Sequence, residues 1–592
     1  MVALANAPSA VAAAAAEAVA AVDRQAAADG VSAAVGLAAV VTQLQLLGAA
    51  VDVGFLTLAG VLVCPTMQTG FAMLTAGSVR AKNVKSVLMK VLMDTCVGGV
   101  AWMLFGNAFA YGEKANAFLG HSGWALADGD TTDLAVFSSD GLFAERASFY
   151  AYLGATLWLT SFVYPVVAHA VWDSAGWLSA STFASAPLLG IGAIDHAGCA
   201  SVHMVGAVCG LWGAVATGPR RGRFADDGTP HGIPGHSAPL TLLGGLLLWT
   251  GWFGFNAGSG LSLTTYEASS GLFPGRVVAL GDGSELLVSG LLTVQQTLTS
   301  TMLGACGGAL VGMALSYVFA FHVIDLSAIV NCLLAGLVSI TAGCATFYPY
   351  ISLLVGMVGA AVYMGASRAM VWLRIDDPLD AVAIHGACGL WGLLAVGLFS
   401  ARDAQAAAGF RATHYGAAFG GGWRLLACQA VGAVFVIGWT TITTVPLWYS
   451  LRALGLLRVT LEEEMDGLDE GLHGGTAYPI DESYTPWHSP TPPTLEWEAP
   501  FGGDTFYAIS SASPKAADLD AVVCSIPSSP EADDSGSSQA RPSVRSSTSP
   551  VMRSGRDSGS SIRVRSSGRA RDSSRAIIEE MSTGGGTEGT GA

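Results

Sequence analysis

Charge is what this 592-residue sequence has least of. Only 12% of its residues are Asp, Glu, Lys or Arg, about half of the roughly 25% usual in soluble chains. That scarcity excludes a highly charged disordered chain and argues against an ordinary soluble enzyme. The deficit is also uneven. Residues 459–592 carry 21 acidic and 10 basic groups, and residues 1–458 carry 23 and 18. Most of the formal net charge of −16 therefore belongs to the final segment. With a mean hydropathy of +0.50 over the whole chain, a polytopic membrane body followed by a soluble tail fits better than a string of soluble domains.

Metal-ligand and disulfide spacings are missing too. Nine of the ten cysteines lie in or beside apolar runs, only Cys524 is in the tail, and none stands in a CxxC or Cys/His pattern. Neither a zinc site nor a disulfide framework is indicated, and the cysteines read as small hydrophobes in helix packing. Nor is there a basic segment ahead of a compact apolar core at the N-terminus. The Ala-rich stretch with Glu17, Asp23 and Arg24 therefore reads as an extracellular arm over 1–45 in preference to a cleaved signal peptide.

What is present is a succession of apolar runs, each near the ~20 residues a helix needs to cross a bilayer. They begin near Val51, Val87, Phe149, Cys199, Leu240, Leu291, Leu326, Ile351, Ala381 and Leu425, and they are rich in Gly, Ala, Ser and Thr, as close helix packing in lipid requires. Basic residues cluster at Arg80, Lys82, Lys85 and Lys90, at Arg220, Arg221 and Arg223, at Arg368 and Arg374, and at Arg452 and Arg458. The positive-inside rule places these clusters in the cytoplasm, the N-terminus outside and the tail inside. Parity then requires an even number of crossings between the first two clusters, yet only three strong runs lie there. The remaining crossing falls on Thr132–Ala144, which is short and carries Asp133, Ser138, Ser139 and Asp140. The expected fold is an all-α polytopic membrane protein of eleven helices over 46–458, with a doubtful third helix.

The sequence also repeats itself. GAVCGLWG at 206–213 and HGACGLWG at 385–392 each follow an acid and a histidine, Asp195 and His203 in the first copy, Asp380 and His385 in the second. Five spans end at each copy, counting the short one, and an odd number per half makes an inverted repeat, whose site lies near the midplane between the halves. A lone histidine on an apolar helix is usually a packing residue. Two at related positions of an inverted repeat meet on one axis, where two imidazoles offer donor and acceptor nitrogens. Because burial disfavours charge on the rings, the pair suits a neutral hydrogen-bonding solute better than a free cation. A metal centre is the weaker alternative, since no third ligand stands at helical spacing.

Several longer stretches carry a resemblance. DHAGCASVH (195–203), GWFGFNAGS (251–259), GFAMLTAGSVRAKN (70–83), FVYPVVAHAVW (162–172), LLAGLVSITAGC (333–344) and DDPLDAVAIHGACGLWG (376–392) closely resemble the ammonium transporter (Amt/Mep/Rh) superfamily in its plant- and alga-like branch, from about Val51 to Tyr478. The resemblance implies eleven helices in each protomer, a homotrimer in the lipid bilayer, a separate pore in each protomer, and transport of ammonium and methylammonium across what would be the plasma membrane. No cofactor, enzymatic step or nucleic-acid partner is implied. By motif, the pore histidines are His203 and His385, and the external recruitment site combines Trp172, Ser259 and Asp195. Phe255 matches one ring of a phenylalanine gate, and Asp380 matches the acid before the second histidine. An ammonium ion over an indole gains roughly 0.5–2 kcal/mol. Asp195 also reads as the N-cap of its helix.

Two places depart from the family pattern. The outer gate phenylalanine falls in register near Thr131, with Phe137 as the available substitute, in the short third span. In the coupling segment over 459–478, which in the family contacts a neighbouring protomer, the regulatory threonine position is Gly471, with Thr476 nearby. Residues 479–592, rich in Ser, Pro, Gly and charge, read as a disordered cytoplasmic tail. Within it, nine arginines between Arg541 and Arg575 alternate with serines, a pattern suited to anionic lipid and to kinases. A second function class stays open: an ammonium sensor with weak or no transport, suggested by the shortened third span and the long tail. A gas channel for carbon dioxide is weakened by Trp172 and Ser259, which suit a cation.

Overall fold

The computed structural model describes residues 33–478, apart from 114, 127–143, 183, 185, 265–275, 280–284, 289, 320 and 321. Among the described residues, nine helices are long and apolar enough to span a membrane: α1 (Leu46–Ser78), α2 (Ala81–Tyr111), α3 (Phe149–Trp172), α4 (Cys199–Thr217), α5 (Ala238–Gly258), α6 (Gly290–Phe319), α8 (Pro349–Trp372), α9 (Val382–Phe399) and α10 (Arg424–Ala453). The shorter α7 (Leu326–Ile340) lies between α6 and α8. These ten helices fall where the ten apolar runs of the sequence place them. The chain is a multi-pass membrane protein. α1 continues a helix that already begins at Ala33, inside the expected arm, and the loop after α5 contains an antiparallel pair, β1 (Arg276–Ala279) with β2 (Glu285–Val288).

Glycine lets the helices approach. Along α1 and α5, a Cβ at Gly77 would meet Thr241 N at 2.5 Å, one at Gly70 would meet Leu248 N at 2.8 Å, one at Gly251 would meet Met67 Cγ at 2.2 Å, and one at Gly254 would meet Leu62 Cβ at 2.7 Å. Numbers fall on α1 as they rise on α5, so the two are antiparallel over their whole length. With no hydrophobic drive between helices in lipid, such backbone approach supplies the dispersion contacts that hold them.

The basic clusters meet at one end of the bundle in a buried ion network. Glu145 accepts from Arg80 N and Nε at 2.8 and 3.0 Å and from Asn83 Nδ2 at 2.9 Å, and it pairs with Arg220 at 2.6 Å. Arg220 also grips Asp376 through Nε and NH2, and Arg146 donates to Gly218 O at 2.7 Å. The ends of α1, α4 and α8 and the starts of α2, α3 and α9 are thereby tied together. Leu126, by contrast, follows a turn packed at the far end, where Trp124 stacks edge-on with Phe109 at 5.0 Å. Residues 127–143 lie between these two points. The expected eleventh span and Phe137 fall in that interval, outside the described residues.

Burial alone would push the Glu145 carboxyl up, but the guanidiniums of Arg220 and Arg80 outweigh it and hold it at about 2, below its ordinary 4.5. A depressed carboxylate contributes stability that is complete above its unfolded value and lost as pH falls toward its folded one. The melting temperature of the purified protein should therefore drop between pH about 4.5 and about 2. Glu145→Gln should cost on the order of 3 kcal/mol at neutral pH by leaving Arg220 less compensated, and should flatten that acid limb. An unchanged limb in a thermal melt would contradict this account.

Candidate functional site

α4 and α9 begin in the same way. Each opens with a π-helical turn, Cys199–Met204 and Val382–Ala387, and each is preceded by a residue of positive φ, Gly198 at 106° and Asp380 at 55°. Each has an aspartate gathering its first N–H groups. Asp195 Oδ2 accepts from Ala200 N at 3.0 Å, Ser201 N at 2.8 Å and Ser201 Oγ at 2.9 Å. Asp377 Oδ2 accepts from Val382 N at 2.8 Å. Orphan N–H groups at a helix start buried in a membrane protein need such partners.

This register corrects the pairing of acids expected from the repeat. Asp195 and Asp377 are separated by the same 182 positions as His203 and His385, so Asp377 is the counterpart of Asp195. Asp380 is the counterpart of Gly198. Its carboxylate turns away from the helix start to accept from Tyr363 OH at 2.9 Å and Ser367 Oγ at 3.0 Å. The CGLWG copies mislead because Cys209 and Cys388 are 179 apart, nearly one helical turn out of the register that the backbone follows.

The two helices cross antiparallel and very close. A Cβ at Gly389 would meet Cys199 O at 2.7 Å, one at Gly392 would meet Ser339 O at 2.3 Å and Cys199 Sγ at 2.6 Å, and one at Gly386 would meet Ala207 Cβ at 3.1 Å. At the crossing, His203 Nδ1 and His385 Nδ1 are 3.1 Å apart, with ring centroids 5.1 Å apart and planes at 26°. One Nδ1 must donate and the other accept, so the pair shares a single proton along this contact. His203 Nε2 is buried and has no protein partner among the described residues. The indole of Trp252 stacks on the His203 ring at 5.3 Å and 19°, and Phe255 lies 5.9 Å away. Trp252 is itself fixed by donating to Thr341 Oγ1 at 3.0 Å. Sequence inspection did not single out Trp252 or Asp377. Trp252 stands inside the quoted GWFGFNAGS stretch, and the spacing of the histidines points to Asp377.

At the far end of the bundle, Trp172 closes α3 and donates its indole N–H to Asp195 O at 2.7 Å. Behind it, the ring nitrogens of His169 lie 2.7 Å from Ala110 O and 2.7 Å from Asn116 O. Ser259 comes directly after α5, its Oγ donating to Phe255 O at 2.8 Å, which leaves the oxygen lone pairs as acceptors. The short stretch Asp195–His196 runs between them, His196 Nε2 lying 3.2 Å from Asn256 O, one turn before Ser259. Thus Asp195 and Trp172 are in direct contact, and Ser259 and Phe255 share the end of α5.

At the basic end, 459–478 forms α11 (Leu461–Asp466) and α12 (Leu468–His473). Asp469 accepts from Lys85 N at 2.9 Å and Ser86 N at 2.8 Å, capping α2, and Arg458 pairs with Glu464 at 2.8 Å. A Cβ at Gly471 would meet nothing within 4 Å, and Thr476 Oγ1 donates to Tyr478 O at 2.6 Å on the surface.

Two helices that start at opposite ends of the bundle from the same capped geometry and cross antiparallel are the mark of an inverted-repeat membrane protein. A family model described as the Ammonium Transporter Family matches residues 54–478. The chain is 40% identical over 437 residues to ammonium transporter 1 member 2 of Arabidopsis thaliana, covering 70% of this chain and 82% of that one. It is 39% identical to ammonium transporter 1 member 1 of Oryza sativa subsp. japonica, covering 69% and 81%. A solved structure titled as a sensor Amt protein shares the fold with a TM-score of 0.59, 24% identity and coverage of 72% and 98%. The protein belongs to the ammonium transporter family.

The crossing itself can be tested. Gly392→Val and Gly389→Leu should destabilise the protein by about 1–3 kcal/mol or more, as overpacked sites do, whereas Gly386→Ala, facing only a methyl group, should be mild. Melting curves in detergent that ranked all three alike would refute the close antiparallel contact.

Proposed function

We propose that the chain carries ammonium and methylammonium across the membrane. A cation is recruited at Trp172 and Ser259, gives up its proton there to water of the external vestibule, and passes as a neutral amine along His203 and His385. The observation that carries this reading is the buried Nε2 of His203, which no atom of the described residues bonds, in a pair whose Nδ1 atoms are already committed to each other. A buried unpaired nitrogen is costly, and a small hydrogen-bonding solute in the lumen satisfies it. The relatives' names, ammonium transporter 1 members at about 40% identity, support the same substrate.

The indole face of Trp172 supplies cation–π attraction, and the Ser259 oxygen accepts one N–H of the ion. Asp195 acts from behind. Its carboxylate caps α4 while its carbonyl fixes the Trp172 ring, so it holds the site together and does not face the solute. Phe255 borders the path against His203 and serves as the inner gate ring. Asp380, bonded to Tyr363 and Ser367, supports the entry to α9. The basic end is cytoplasmic and the Trp172 end external, with the protein as a homotrimer in the plasma membrane. Gly471 cannot be phosphorylated, and the exposed Thr476 is the hydroxyl nearest to it in the segment. The sensor alternative predicts surface-located protein that binds ammonium but moves little of it.

In a cell lacking its own ammonium uptake, labelled methylammonium should accumulate. Trp172→Leu should raise the half-saturation concentration several-fold, about tenfold for each ~1.4 kcal/mol lost. His203→Ala and His385→Ala should alter flux or ion selectivity while the oligomer stays intact on size exclusion. Absence of uptake from well-expressed, surface-located protein favours the sensor, and wild-type flux in both histidine variants rules out this pore.

A further inference from the structure

The antiparallel seam of α1 and α5 ends at one polar residue. A Cβ at Gly258, the last residue of α5, would meet Ala59 Cβ at 2.8 Å, and the chain then turns through Ser259 and Gly260. Leu261 takes φ +60°, a left-handed conformation that branched and bulky side chains rarely adopt. Immediately beyond it, Asp52 of α1 collects three donors. Its Oδ1 accepts from Leu263 N and Thr264 N at 2.8 Å each, and its Oδ2 accepts from Thr264 Oγ1 at 2.6 Å. Thr264 lies so near α1 that a Cβ at Gly48 would touch its Oγ1 at 3.4 Å. Asp52 lies within α1, has no ion-pair partner among the described residues, and an ionisable group in a span is costly enough to call for a role.

We propose that Asp52 is a positioning residue for ammonium recruitment. It acts through Ser259, by locking the turn after α5 in the register that the glycine seam sets. This inference rests on Ser259 belonging to the recruitment site. The glycine contacts fix α5 as far as Gly258 but not the turn beyond it, because Ser259 onward is no longer helix. Ser259 is held by two clamps: on its N-terminal side the seam and the bonds of Ser259 N and Oγ, Gly260 N and Leu261 N back to Phe255 O, Ala257 O and Gly258 O, and on its C-terminal side the three bonds to Asp52. Without the second clamp, Leu261 relaxes out of its left-handed conformation, and the Ser259 oxygen moves with it.

The test compares Asp52→Ala, Asp52→Asn, Ser259→Ala and the Asp52→Ala/Ser259→Ala double variant in methylammonium uptake, each normalised to surface protein. Asp52→Ala should raise the half-saturation concentration about three- to tenfold with maximal rate nearly unchanged. Asp52→Asn, which keeps an acceptor oxygen for Leu263 and Thr264, should recover most of that loss. The double variant should be no worse than Ser259→Ala, because the two residues act as one unit. Additive effects, a fall in maximal rate alone, or wild-type half-saturation in Asp52→Ala would each overturn the proposal. If Ser259→Ala itself leaves half-saturation unchanged, the recruitment reading fails instead. Should Asp52→Ala not reach the surface, Thr264→Val, which removes one of the three bonds, should give a smaller shift of the same kind, and no shift would again overturn it.

Discussion

Everything at the centre of this protein depends on two helices crossing at backbone contact. Gly386, Gly389 and Gly392 strip α9 of side chains on the face that meets α4, and Cys199, Ala207 and Ser339 fill what remains. Only at such a distance can two imidazoles on opposing helices come within 3.1 Å of each other. The same closeness excludes bulk solvent and leaves an indole and a phenyl ring as the neighbours of His203.

Such a crossing needs helices that begin inside the protein, and a helix beginning there leaves N–H groups that lipid cannot satisfy. Two aspartates answer that need by the same geometry, Asp195 for α4 and Asp377 for α9. Cys199 adds to it, its thiol donating to Val338 O at 2.9 Å and accepting from Ala342 N at 3.0 Å, which stitches the irregular stretch after α7 to the start of α4. Non-helical backbone is tolerated at this depth because it is buried in protein and not exposed to lipid. The residue that caps α4 also holds a second ring, since the carbonyl of Asp195 accepts from the Trp172 indole.

At the opposite end the chain uses charge where the middle uses close packing. Glu145, Arg146, Arg220 and Asp376 are buried and mutually paired, so each would be expensive alone and is acceptable only within the set. The segment 459–478 attaches at the same end: Glu464 accepts from Arg221 N and pairs with Arg458, whose guanidinium donates to Thr217 O and Pro219 O, and Asp469 caps α2 from outside the bundle. The position of that segment is therefore coupled to the helix ends by charge-assisted bonds, which respond to modification more readily than apolar packing does.

The sequence by itself determined the ten apolar helices, because long apolar runs have few alternatives to a membrane helix, and it determined the basic end, because lysine and arginine mark it. It also determined that His203 and His385 belong together, since both stand at the start of matched runs in opposed halves. Other features waited for the tertiary structure. Asp377 displaced Asp380 as the partner of Asp195 because the backbone keeps the 182-residue register of the histidines while the most visible motif repeats at 179, and only the backbone shows which of the two registers it follows. Trp252 against His203, and Asp52 against Leu263 and Thr264, join residues about 50 and more than 200 positions apart. Such contacts are fixed by how closely glycine-faced helices can approach, a property of surfaces in three dimensions that no local pattern encodes.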